Sequence, residues 1–111
     1  YINTVAIDKG SLIEVHDSDT AQIDGTENLS NTLSVLANSF VASVGGRDGD
    51  GFKTISWTNS TEWQEVNVDS ATHVHYSAIT RPTVDNASLT ITMDLDTTGN
   101  ADVSMATVCF K

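Results

Sequence analysis

The sequence predicts an all-β fold, a two-sheet antiparallel β-sandwich of about eight strands in a single domain spanning residues 1–111. Three observations carry this. Apolar and polar side chains alternate at a period of two in short runs. Those runs are separated by clusters of Gly, Asp, Asn, Ser and Thr, the residues that turns demand. No stretch longer than ten residues repeats apolar positions at helical spacing with caps. Jelly-roll and immunoglobulin-like connections produce the same pattern, and a closed barrel is compatible with it.

Taken along the chain, residues 1–7 and 11–15 read as strands flanking Asp8-Lys9-Gly10, a hairpin turn. Residues 16–28 are polar and acidic with little periodicity, and are expected to form the longest loop. In residues 29–36, Leu29, Leu33 and Leu36 fall at helical intervals, with Asn28 or Ser30 able to cap. The recurring Ser, Asn and Thr favour an irregular crossover leading into a strand over one or two helical turns. Residues 39–44 form a strand with Phe40, Ala42 and Val44 toward the core. It ends in Gly45-Gly46-Arg47-Asp48-Gly49-Asp50-Gly51, which reads as a tight loop. Residues 52–57 and 63–68 are strands around the turn Thr58-Asn59-Ser60-Thr61.

The clearest alternation comes later. In residues 73–79, Val74, Tyr76 and Ala78 point one way and His73, His75 and Ser77 the other. In residues 89–95, Leu89, Ile91, Met93 and Leu95 alternate with Thr90, Thr92 and Asp94. In residues 102–110, Val103, Met105, Thr107 and Cys109 occupy one side and Ala106, Val108 and Phe110 the other, which predicts a central strand with both faces at least partly covered.

Composition narrows the function classes. Fifteen acidic against five basic residues give a formal net charge of −10, so the mean field repels phosphate backbones and anionic headgroups. Lys9, Arg47, Lys53, Arg81 and Lys111 are scattered and form no stripe, which argues against a nucleic-acid partner. No apolar run reaches the length of a membrane helix and no basic-then-apolar leader opens the chain, so membrane insertion is not expected. Cys109 is the single cysteine, which excludes an intrachain disulfide; its apolar strand marks it as a small buried hydrophobe.

One ordered set of features resembles a family. The run Asn38-Ser39-Phe40-Val41-Ala42-Ser43-Val44-Gly45-Gly46-Arg47-Asp48-Gly49-Asp50-Gly51 is followed by Thr54-Ile55-Ser56-Trp57, a polar turn, and residues 63–66. Next come His75-Tyr76-Ser77-Ala78-Ile79, the proline turn Arg81-Pro82-Thr83-Val84, Ser88-Leu89-Thr90-Ile91-Thr92-Met93 and the closing Met105-Ala106-Thr107-Val108-Cys109-Phe110. This order resembles a loose group of β-sandwich modules in phage virion, prophage-encoded and secreted bacterial proteins. The resemblance covers about two thirds of the chain, residues 39–110. It implies a virion surface component, a fibre or tail-associated module, or an appendage of a secreted protein, and supplies no catalytic residues. The first 35 residues have no counterpart in it.

Candidate sites are few. His73 and His75, two apart on a strand, share a face and could share a metal, but no third ligand adjoins them. Asp94-Leu95-Asp96-Thr97-Thr98-Gly99-Asn100 resembles the opening of a calcium loop. The twelfth position holds Met105 rather than a bidentate acid, leaving at most a weak calcium site on Asp94 and Asp96. Asp48, Asp50, Asp17 and Asp19 read more simply as turn and loop residues. Trp57, Trp63 and Tyr76 are the aromatics a saccharide-stacking surface would use, with Asn59, Glu62 and Gln64 beside them; packing in the core or its rim is the plainer role. Asn28, Asn59 and Asn86 begin Asn-x-Ser/Thr sequons, expected by chance in so Asn-, Ser- and Thr-rich a chain.

A glycine-flanked serine elbow, a phosphate loop and a dinucleotide fingerprint are all missing from the sequence, so no catalytic residue is nominated. The sequence therefore points to a structural or interaction module on a virion or in an extracellular assembly, partnered by copies of itself or a neighbouring structural protein. A carbohydrate-binding module is the alternative. Residues 1–38 are read as an assembly arm plus crossover, with Tyr1, Ile2, Val5 and Ile7 able to add a strand to a neighbour's edge.

Overall fold

The computed structural model describes residues 14–24, 28–49, 55–69, 73–95 and 101–111. Those residues form eight strands: β1 (Val15–Asp24), β2 (Leu29–Val35), β3 (Phe40–Gly49), β4 (Ile55–Thr58), β5 (Thr61–Asp69), β6 (His73–Thr80), β7 (Asn86–Leu95) and β8 (Ala101–Phe110). They make an all-β, two-sheet sandwich. Sheet A runs β1-β8-β3-β6-β5 and sheet B runs β2-β7-β4, with every pairing antiparallel.

The period-two pattern sets which residues are dry. On β8, Val103, Met105, Thr107 and Cys109 are buried, and on β6 so are Val74, Tyr76 and Ala78, as the alternation predicts. From sheet B, Leu29, Leu33, Val35, Ile55, Ile91 and Met93 meet them. Each fully buried aliphatic side chain stabilises the fold by about 1.5–3 kcal/mol relative to exposure. The core falls into two clusters. One holds Leu29, Ile55, Val74, Tyr76, Met93, Val103 and Met105; the other holds Leu33, Val35, Val41, Ile91 and Cys109, and Trp57 touches both.

Between the clusters lies a polar layer. Asn31, fully buried on the inner face of β2, donates through Nδ2 to the Asp19 carbonyl (3.0 Å), the Met105 carbonyl (3.4 Å) and Thr107 Oγ1 (3.1 Å). Thr107 in turn pairs with Ser43 Oγ at 3.0 Å. One side chain of sheet B is thereby tied to β1 and β8 of sheet A directly, and to β3 through Thr107. Asn31 Oδ1 is buried without a hydrogen-bond partner, so the Nδ2 contacts alone hold the amide, and they set the offset of one sheet over the other.

Several expectations are corrected. Residues 16–28 are not one long loop, because residues 16–24 belong to β1. Residues 29–35 form a strand rather than a crossover or helical turns, since Leu29, Asn31, Leu33 and Val35 all face inward, with one register shift between Leu33 and Val35. The Gly-Asp segment does not turn at Gly45; β3 continues through it to Gly49. A Cβ on Gly45 would stand 2.7 Å from Met93 Sδ and 3.2 Å from the Ser104 carbonyl, so the glycine is there for close approach of the two sheets. The faces of β3 are also reversed. Val41, Ser43 and Arg47 are buried, whereas Val44 is 57% exposed, because the register sets Val41, Ser43 and Arg47 beside Cys109, Thr107 and Val103. Phe40 is buried on the opposite face, stacked on Phe110 and covered by the Arg81 guanidinium 5.8 Å from its centroid. The hairpin around Asp8-Lys9-Gly10 lies outside the described residues, as do Asp50 and Asp96.

Three connections switch sheets at one end of the sandwich: β2 to β3, β4 to β5 and β6 to β7. Two of them turn on an asparagine in the left-handed region, Asn38 at φ 63° and Asn59 at φ 61°. The third braces the first. Pro82 accepts the Asn38 N–H at 2.8 Å and Asp85 Oδ1 accepts that of Ala37 at 2.8 Å. The opposite end, where β3 finishes and β8 begins, carries Asp48 and Asp102 directly opposite one another.

Candidate functional site

The two sheets present very different outer faces. Sheet B is hydroxylated: Ser30 pairs with Thr92 at 2.8 Å and Thr32 with Thr90 at 2.9 Å, with Ser56 and Thr58 in the adjoining strand. Such a face is wetted easily. Sheet A is different at its centre. Successive register rows there read Ala42, Val108 and Ile79, then Val44, Ala106 and Ser77, then Gly46, Ser104 and His75. Val44 and Ala106 are exposed, and an open depression of about 690 Å³ lies beside them over Gly46, Ser104, His75 and Thr20. A sheet face with no acidic side chain in three consecutive rows of its central strands stands out in a chain of net charge −10.

Charge is gathered at the two ends of this face. At the corner end, Arg81 lies over Phe40 and Lys111 closes β8, its Nζ 3.4 Å from Glu14. At the far end, Asp48 of β3 and Asp102 of β8 stand directly opposite one another. Both are exposed.

The sheet edges are guarded. Asp17 Oδ2 accepts the Ser34 N–H at 2.6 Å and Asp19 Oδ2 that of Thr32 at 2.8 Å, while their Oδ1 atoms accept the N–H groups of Ser18 and Thr20 at 2.8 Å. Two carboxylates thus cap amides on the edge strands of both sheets, β1 and β2. Hydrogen bonds from the backbone N–H groups of Ser34 and Ser18, with His16 nearby, hold the Asp17 carboxyl below its ordinary range. On the other side, β4 has four residues, and β5 is interrupted by irregularities between Glu62 and Gln64 and between Asn67 and Asp69. Short, bulged and inward-charged edges resist strand addition.

The sites nominated from sequence are dispersed. Tyr76 is 2% exposed inside the core, so its ring packs against protein instead of a ligand, and burial pushes its hydroxyl up to about 12. Trp57 is half-buried between the core clusters, and its Nε1 has no hydrogen-bond partner. Trp63 stands out at the first irregularity of β5, 45% exposed. Nearby, Glu65 is pushed above its ordinary value by desolvation and by Glu62. His75 is exposed on the outer face of sheet A, and His73 shares its strand. Asp94 is half-buried in β7, opposite Ser56. Among the described residues no group of three or more His, Cys, Asp or Glu is placed to hold a metal. Tyr1, Ile2, Val5 and Ile7 lie outside the described residues.

The apolar residues Ala106, Val108 and Phe110 opposite the core side of β8 are legible in the sequence, but the face they form is open at Ala106, which is exposed. The half of that face on β3 is not legible, because local alternation points Phe40, Ala42 and Val44 inward and only the pairing with β8 turns them outward. No helix among the described residues is long and apolar enough to cross a membrane. No protein-family model, curated protein or solved structure matches the chain.

Proposed function

We propose that the chain is a structural interaction module, a jelly-roll building block of a virion surface or another extracellular assembly, and not an enzyme. The acid-free centre of the outer face of sheet A carries this reading. Solvent-facing sides of antiparallel sheets are ordinarily polar, as sheet B is here, and an exposed small-apolar face ordinarily meets another protein. The strand order supports the jelly roll. Pairing β1 with β8, β2 with β7 and β3 with β6 nests the chain as one long rolled hairpin, an architecture used in capsid and lectin domains. In the present chain the innermost pair differs, with β5 joining β6 instead of β4.

Sedimentation of the whole chain over a wide concentration range tests the reading. Mass that rises with concentration is expected, and a monomer throughout rejects it. Removal of residues 1–15 separates an arm-mediated assembly, which it abolishes, from a face-mediated one, which survives. Fractionation of particles from the source culture tests the proposed location.

One observation favours a second reading, a carbohydrate-binding module: Trp63 offers an exposed indole at the rim. Saturable quenching of tryptophan fluorescence by a glycan, lost in Trp63→Ala, is its signature. No quenching across a broad glycan panel removes it.

A further inference from the structure

We infer that the outer face of sheet A binds the same face of a second copy about a two-fold axis lying across the strands, with strand directions reversed between the copies. The inference rests on the reading of this chain as an assembly module and names its partner and geometry. A two-fold axis in the plane of the interface maps each register row onto another at equal distance from it. Val44 lies midway along β3 between Phe40 and Asp48. An axis along the Val44–Ala106 row therefore lays the rows of Ala42 and Gly46 over one another, and does the same for the rows of Phe40 and Asp48.

Both superpositions are complementary. The row of Ala42, Val108 and Ile79 projects side chains, whereas the row of Gly46, Ser104 and His75 floors the depression. Each copy supplies the ridge that fills the other's trough. At the ends, Asp48 and Asp102 of one copy come over Phe40 and its covering Arg81 in the other, so the acidic end meets a cation twice. Strand-parallel stacking would instead lay acid on acid. This complementarity commits the face to a second copy of the chain.

The footprint suits a modest dimer. Five strands about 4.8 Å apart and eight residues long at about 3.3 Å each give roughly 500 Å² per copy, or about 1,000 Å² in total, at the threshold of a specific interface. Among the described residues, the guarded edges of β1, β2, β4 and β5 favour association through the face.

Sedimentation equilibrium of the full chain tests the geometry, with circular dichroism and melting temperature as controls for folding. Val44→Glu places like charges on the axis of the dimer and is expected to weaken association by about tenfold or more, with the fold retained because Val44 is exposed. Arg81→Glu and Asp102→Lys should each weaken it, and the double variant should recover a large part of the loss by exchanging the charges. Unchanged association in Val44→Glu overturns this geometry while leaving the assembly reading in place, as does a double variant no better than the singles. A wild-type chain that never leaves the monomer overturns both.

Discussion

Asp17 and Ser34 bridge the two sheets at their shared side: the carboxylate oxygen Oδ2 of one accepts the backbone N–H of the other at 2.6 Å. The bond is stronger to the ionised carboxylate than to the neutral acid, so Ser34 and Ser18 hold the Asp17 carboxyl below the ordinary 3.8. A depressed acid adds stability above its unfolded pKa and loses it as the pH falls through the folded one. Melting temperature should therefore fall on acidification below about pH 4, the unfolded aspartate range. Asp17→Asn should melt lower than the wild type at pH 7 and show a shallower acid limb. Parallel pH profiles for the two proteins would remove Asp17 from the account.

Glu65 should behave in the opposite sense. Desolvation and the Glu62 charge raise its carboxyl above the ordinary 4.5, so the folded state favours the neutral acid. That preference is fully expressed below the unfolded pKa and lost as the pH rises through the folded one, which makes ionised Glu65 a liability at neutrality. Glu65→Gln should raise the melting temperature at pH 7 and leave it unchanged at pH 4. A gain of the same size at both pH values would mean that charge is not the cause.

Gly45 and Met93 test the close approach of the sheets. A methyl at Gly45 would stand 2.7 Å from Met93 Sδ, and the Ser104 carbonyl at 3.2 Å closes another direction. Gly45→Ala should cost about 1–3 kcal/mol, the usual range for overpacking a filled core. Denaturant unfolding measures it, and Met93→Ala in the Gly45→Ala background should add less than its cost alone, because it relieves the clash. Strict additivity of the two would contradict the contact.

Those residues also show how much of the fold was legible in the sequence. The dry faces of β6, β7 and β8 could be read directly, since Val74, Tyr76, Ile91, Met93 and Val103 alternate with polar partners and nothing competes with that pattern. The strand through Gly45 and Gly46 could not, because glycine is a turn signal locally, and the side chain that requires its absence lies in the other sheet. The inward aspartates Asp17 and Asp19 mimic a loop for the same reason: their partners are amides of β2. On β3 small apolar residues fill both faces, so parity had to come from β8. The apolar outer face became visible only once that register was fixed.

Asn38 and Asn59 make the sheet-switching corners testable. Both sit at positive φ, where a side chain with a Cβ costs about 1–2 kcal/mol and asparagine is among the best tolerated. Asn38→Ala should destabilise by less than that amount, since asparagine already carries a Cβ there, while Asn38→Gly should be neutral or stabilising. At Asn59 glycine should still lose stability, because the Nδ2 bond to the Thr90 carbonyl at 2.8 Å goes with the side chain. Equal responses to glycine at the two corners would argue against a role for that bond.

The Asn31 layer supplies the sharpest test of the sandwich itself. Two backbone carbonyls, Asp19 and Met105, fix which amide atom faces sheet A, since a reversed amide would set oxygen against oxygen. Asn31→Ala removes the donor from both carbonyls and from Thr107, and should cost about 1–3 kcal/mol from the unmet acceptors. Asn31→Asp keeps the shape but brings an acceptor where a donor is needed, and a charge where there is no water. It should be worse than alanine at pH 7 and improve as the pH falls, since protonation restores a donor. Asn31→Leu separates polarity from packing. If the layer fixes the offset between sheets, leucine should not restore it even at equal stability, and slow amide exchange in β2 should be lost; protection retained in the leucine variant would show that packing alone holds the two sheets in place.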